Sequence, residues 1–244
     1  MSSSLKLLVI CMSFAPAATV SAATQSPLTT ENVKTTIDQA INNFEATQLD
    51  QWAFQISRYE NEEGDETSSI ERFNPQQADA ARWQLLALNN RSPTLDEQID
   101  FQQRKQDTET SISLRLSELI QTDSLVVVSE DKAYIRASFD VYLERLGADA
   151  SKHLQGTLAF VKDGEFIEQI EITNTDSFSP MFGATIDELE LDLAFVKINQ
   201  SVLTQRIGLK MQGSFALFTE IDEVSSDVYS DYQYLGPCAT KLRC

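Results

Sequence analysis

Histidine is almost missing from this chain: His153 is the only one in 244 residues, and there are just three cysteines. A serine or cysteine hydrolase needs a base held against its nucleophile, most often histidine. His153 follows the polar run Asp149–Lys152 with no G-x-S-x-G elbow near it, so it reads as a surface-loop residue. The same scarcity removes the usual zinc ligands, and the sequence has no H-E-x-x-H, no P-loop and no G-x-G-x-x-G. Catalytic residues, a metal and a cofactor are therefore not expected.

Cations are also scarce. Lys and Arg number 19 against 37 Asp and Glu, a formal charge of −18, and no basic run or stripe is present. Nucleic-acid binding rests on phosphate neutralisation by clustered Lys and Arg, so that class of partner is excluded. An acidic surface also disfavours anionic headgroups, while it suits a basic protein partner. With only 8 Gly and 6 Pro, no linker divides the chain. No fixed-period repeat points to a solenoid or propeller, and the length suits one domain.

The one long apolar run is at the start. Lys6 precedes Leu7–Val20, which is broken only by small residues and Pro16, and Ser21-Ala22-Ala23 follows. This is the grammar of a cleaved signal peptide over residues 1–22, so the expected mature unit is 23–244 and its expected location the periplasm, or beyond it. The run is shorter than the roughly 20 apolar residues of a membrane span, and no stable membrane insertion is expected. Removal of 1–22 takes away one cation and no acid, leaving a still more acidic product. Cys238 and Cys244 survive maturation. In an oxidising compartment a disulfide between them is the default, closing a loop so short that it contributes about 2 kcal/mol at best.

Acids are plentiful enough to need weighing. Glu60, Glu62, Glu63, Asp65 and Glu66 surround Gly64, but without the D-x-D-x-D-G spacing of a calcium loop. Glu188, Glu190 and Asp192 share one face of a strand, where a row of like charges is ordinarily solvated.

The hydrophobic periodicity supplies the architecture. Thr29 or Thr30 is a helix cap, and Val33, Ile37, Ala40, Ile41 and Phe44 recur at three- and four-residue spacing on one face. Strands follow at Trp52–Ser57, Thr67–Phe73 and Arg82–Leu88. Thr94 and Glu97 then form a capping box for a second, more polar helix with a stripe of Leu95, Ile99 and Gln102, and Ser113–Ile120 reads as one more short helical turn. From Ser124 the pattern is strand-like: 124–129, 133–143, 154–162, 166–174, 185–198, 202–218 and 225–235. Hairpin chemistry at the turns pairs sequence neighbours antiparallel. The expected fold is α+β and mostly β: about ten strands in a meander, curled into a half-barrel and closed by the N-terminal helix and the second helical segment.

Much aromatic and aliphatic material falls on the strands. Trp52, Phe54, Ile56, Trp83, Phe160 and Phe195 are candidate lining for an apolar cavity between sheet and helices.

This order of elements behind a signal peptide resembles the LolA/LolB-type outer-membrane lipoprotein carriers, their receptor and a related sigma-factor regulatory sensor domain. Residues 71–97, 175–191 and 229–236 (ERFNPQQADAARWQLLALNNRSPTLDE, TDSFSPMFGATIDELEL and YSDYQYLG) are similar to a family of exported bacterial proteins near that superfamily. The resemblance implies a half-barrel with a helical lid that shields acyl chains, and a non-catalytic carrier or sensor role with lipid or lipoprotein as partner. An early-strand arginine helps hold the lid in the carriers. Arg58 and Arg72 lie on early strands here, and neither matches that motif. The competing expectation is an envelope interaction or assembly protein with a packed core and no ligand.

Overall fold

The computed structural model describes residues 30–78, 81–107, 115–144, 146–216 and 219–236. The expected signal peptide, residues 1–22, and both Cys238 and Cys244 lie outside the described residues. Ten antiparallel strands form one open sheet in the order β3-β2-β1-β10-β9-β8-β7-β6-β5-β4. They are β1 (Trp52–Glu62), β2 (Asp65–Phe73), β3 (Trp83–Leu88), β4 (Ile120–Glu130), β5 (Tyr134–Val141), β6 (Leu154–Val161), β7 (Phe166–Asn174), β8 (Ala184–Ile198), β9 (Ser201–Phe215) and β10 (Thr219–Tyr234). The mostly β, curled, unclosed antiparallel sheet of ten strands is the one expected, while its order departs from a single meander, because β1 pairs with β10 and β3 does not pair with β4. A sheet of this width cannot stay flat because each strand twists against the next. Among the described residues, no helix is long and apolar enough to cross a membrane.

Two features of the topology go beyond local pairing. The first and last strands join, with Trp52 opposite Tyr234 and Glu62 opposite Glu223. The free edges are thus β3 and β4, consecutive in sequence, and residues 89–119 carry the chain from one edge to the other.

Helix α1 (Thr30–Glu45) buries Val33, Ile37, Ala40 and Ile41. A 16-residue helix is marginal alone in water, so docking holds it. Burial of each large aliphatic side chain contributes about 1.5–3 kcal/mol. Phe44 adds an edge-on contact to Phe195 at 4.9 Å between ring centres. The carboxylate of Glu45 accepts the Ser117 backbone N–H at 2.8 Å, seating the short helix α3 (Leu116–Leu119) against it. The resulting core unites α1, α3 and β4–β9 around Phe139, Ile170, Ile172 and Leu193.

Helix α2 (Leu95–Asp107) begins as expected: the Thr94 N–H donates to Glu97 Oε2 at 2.7 Å, and the Glu97 N–H donates to Thr94 Oγ1 at 3.3 Å. Its packing face is not the expected one. Leu95 is 71% exposed and Ile99 44%, whereas Phe101 is buried and Lys105 half-buried. The sheet under α2 is aromatic and charged, so it takes a phenyl ring and an ammonium rather than the aliphatic stripe. Phe101 completes a second core with Phe54, Ile56, Phe73, Trp83, Leu85 and Tyr229. A short helix α4 (Gly147–Ser151) occupies the polar stretch before His153. The β9–β10 turn comes earlier than the pattern implied, with Ala216 at φ 51° and β10 starting at Thr219.

Candidate functional site: the concave face

Cross-strand register places side chains in rows across the inside of the sheet. One row runs Ile170, Leu193, Ile207, Asp227, Arg58, Ser69. The next runs Ile172, Leu191, Leu209, Ser225, Glu60, Thr67, and a third Leu189, Met211, Glu223, Glu62, Asp65. Each row is apolar on β7–β9 and polar from β10 onward. The concave face therefore has an apolar floor beside a charged wall.

Leu191, Ile207, Leu209 and Met211 on this floor, with the apolar Ile221 beside them near the start of β10, are only half-buried, and all but Leu209 pack against the edge of the large core. The wall reverses ordinary patterning. On its outer side stand Tyr59 (36% exposed), Val224 (40%) and Val228 (40%), while Arg58, Glu60, Glu71, Glu223 and Asp227 are turned inward. Farther along β8 and β9 the usual order returns. Glu188, Glu190 and Asp192 form an outer acidic row, with Lys210 paired to Glu188 at 2.8 Å and Arg206 paired to Asp192.

Inside the wall the charges make a connected cluster. Arg58 Nη2 donates to Asp227 Oδ2 at 2.9 Å, and its Nε stands 4.0 Å from Glu71 Oε1. Glu71 is 5% exposed and meets Lys105 Nζ of α2 at 2.8 Å. That ammonium lies 4.3 Å from the centre of the Trp83 ring and 5.3 Å from that of Phe101, a doubly cation–π setting. Burial pushes the Asp227 carboxyl upward despite the lowering influence of Arg58, with Glu71 and Glu60 adding to the rise. Glu223 is raised by burial and by the neighbouring Glu62 and Glu60. Here negative charge exceeds the cations facing it. Arg58 thus joins two strands of the wall while Lys105 ties a helix to a third.

The six candidate lining residues are all buried, at 5% exposure or less, but they do not share one surface. Phe160 and Phe195 belong to the large core under α1. Phe54, Ile56 and Trp83 belong to the smaller core under α2. Trp52 stands apart at the start of β1, its ring 5.2 Å from Tyr234 and 6.2 Å from Tyr232. The half-buried floor residues and the charged wall were missed. The alternation of Leu189, Leu191 and Leu193 with Glu188, Glu190 and Asp192 carries a signal for the floor, whereas the wall has none that a single strand could reveal.

The remaining chemistry is modest. His153 Nδ1 lies 2.5 Å from Asp176 Oδ1, with its ring stacked on Phe178 at 6.0 Å. Among the described residues, no group of three or more His, Cys, Asp or Glu is placed to hold a metal ion. No family model, curated protein or solved structure matches the chain.

Proposed function

We propose that the protein is a non-catalytic, exported binder of an amphiphile, a lipid, acyl chain or acylated protein, acting as a carrier or sensor in the periplasm. The observation that carries this reading is the strip of half-buried aliphatic side chains, Leu191, Ile207, Leu209, Met211 and Ile221, lying alongside the charged wall. An apolar chain on the strip would remove its remaining exposed surface from water, at about 25 cal/mol per Å². The head group would then lie toward Glu60, Glu223 and Asp227, which favours a neutral, zwitterionic or cationic head over an anionic one.

The test is mass spectrometry of organic extracts from mature protein purified out of periplasm without detergent, against a periplasmic control of similar size. Stoichiometric lipid or acylated peptide supports the reading. An empty protein that also fails to take up a fluorescent acyl probe refutes it. That result would favour an envelope interaction protein, a reading supported by the β7–β8 loop, where Phe182 is fully exposed and Met181 63% exposed beside Phe215 at 44%.

A further inference from the structure

At the end of the sheet away from the β9–β10 turn lies a recess of about 600 Å³ that the amphiphile reading does not use. It is walled by the last turn of α1 with the segment after it, the start of β1, the β8–β9 turn and the end of β10. Its volume falls in the range of small-molecule sites, roughly 300–1,000 Å³. We infer that this recess is a binding site for a neutral, hydroxyl-rich saccharide.

The lining chemistry selects that class. Five amide side chains, Asn43, Gln48, Gln51, Asn199 and Gln200, border the recess. Each amide offers both donors and an acceptor, the pairing that vicinal hydroxyls, themselves donors and acceptors, can satisfy on both sides. Tyr234 adds an aromatic ring 56% exposed, backed at 5.2 Å by the buried Trp52. A sugar ring presents C–H groups that pack on such a face.

Other ligand classes fit less well. Lys197 and Glu165 both border the recess, so neither sign of charge dominates, and Lys197 Nζ already donates to the Gly164 carbonyl at 2.7 Å. An ion therefore gains little net field here. A purely apolar ligand would cover the amides of Asn43, Asn199 and Gln200 without offering them a partner, which costs about 1–3 kcal/mol for each group so buried.

The site is also ordered before any ligand arrives. The Tyr234 hydroxyl donates to Gln51 Oε1 at 3.0 Å, and Gln51 Nε2 donates to Gln48 Oε1. The Leu235 N–H donates to the Gln51 carbonyl at 2.8 Å, pinning the same pair through the backbone. Side chains held in this way lose less entropy on binding than free ones.

The experiment is saturation-transfer NMR and calorimetry on the mature protein with two neutral probes, maltotriose and triacetylchitotriose. Saturation transfer to the sugar C–H protons of at least one probe is expected. Tyr234→Ala and, at the exposed turn, Gln200→Ala should each weaken binding by about tenfold, the consequence of losing one stacking face or one hydrogen-bonding partner. Phe182→Ser, at the other end of the sheet, should leave the affinity unchanged. Preference between the probes reports whether N-acetyl groups are read. No transfer from either probe, or binding that both recess variants leave intact, overturns the assignment. Neither result depends on whether the concave face holds an amphiphile.

Discussion

Lys105→Met asks whether α2 is held to the sheet by charge. The substitution keeps the length of the side chain and removes its ammonium, leaving the Glu71 carboxylate, with a side chain 6% exposed, facing Arg58 Nε at 4.0 Å as its cation and the Ser69 hydroxyl, which donates to Oε1 at 3.3 Å. Removing one partner of a buried ion pair costs about 3–5 kcal/mol, because the survivor stays desolvated. Lys105 retains some access to water, its side chain being 22% exposed, which puts the expected loss near the lower end, about 3 kcal/mol including the cation–π contacts with Trp83 and Phe101. For a domain of this size, that loss lowers the thermal midpoint by about 6–12 °C. Glu71→Gln in the same chain should recover much of it, since an amide is far cheaper to leave in that position. A double-mutant cycle by urea unfolding should return a coupling of about 2 kcal/mol, and amide exchange in α2 should accelerate in the single variant and slow again in the double. Effects that add to within about 0.5 kcal/mol would show the two residues to be independent and refute the reasoning.

Three further outcomes follow from the same geometry. Gly156 lies opposite Phe139, and a methyl group there would stand 2.2 Å from Phe139 Cζ, so Gly156→Ala should lose about 1–3 kcal/mol in urea unfolding, with Phe139→Leu restoring part of it. Thr94→Ala removes the α2 cap and should cost about 1 kcal/mol, measured by the same unfolding curve. Glu223 carries a pKa above its ordinary value, so the native state binds its proton more readily than the unfolded chain. Its contribution to stability is present below the unfolded pKa and lost as pH rises through the folded one. Glu223→Gln should therefore raise the melting temperature at pH 7 and leave it unchanged near pH 3; an equal rise at both would remove the electrostatic explanation.

The sequence exposed those parts of the fold whose causes are local. The face Val33, Ile37, Ala40, Ile41 was legible because helical period and burial coincide along one segment, and Thr94 with Glu97 formed its reciprocal cap because both partners lie within four residues. Leu189 to Phe195 was legible because β8 faces an apolar core on one side and water on the other. The joining of β1 to β10 was not, since Trp52 and Tyr234 are brought together only after the intervening strands have paired. The start of β10 was also hidden. Glu223, Ser225 and Asp227 face inward while Val224 and Val228 face out, so the segment lacks the apolar-in pattern by which a strand is recognised.

That inversion also explains the chemistry of α2. A helix lying over β1–β3 meets Trp83 and Phe73, but also the buried carboxylate of Glu71, and an aliphatic stripe set against that carboxylate would leave it without a cation other than Arg58. The face carrying Phe101 and Lys105 supplies both a ring for the aromatic part and an ammonium for the charge, so it turns inward although Leu95 and Ile99 are the more hydrophobic pair. The choice cannot be read from α2 alone, because hydrophobic period ranks the faces of a helix by their own composition, whereas the docked face is set by what the opposing strands present. Lysine is the informative residue on this helix for that reason. Exchanging Lys105 for leucine would improve the apolar period of α2 and yet weaken its hold on the sheet.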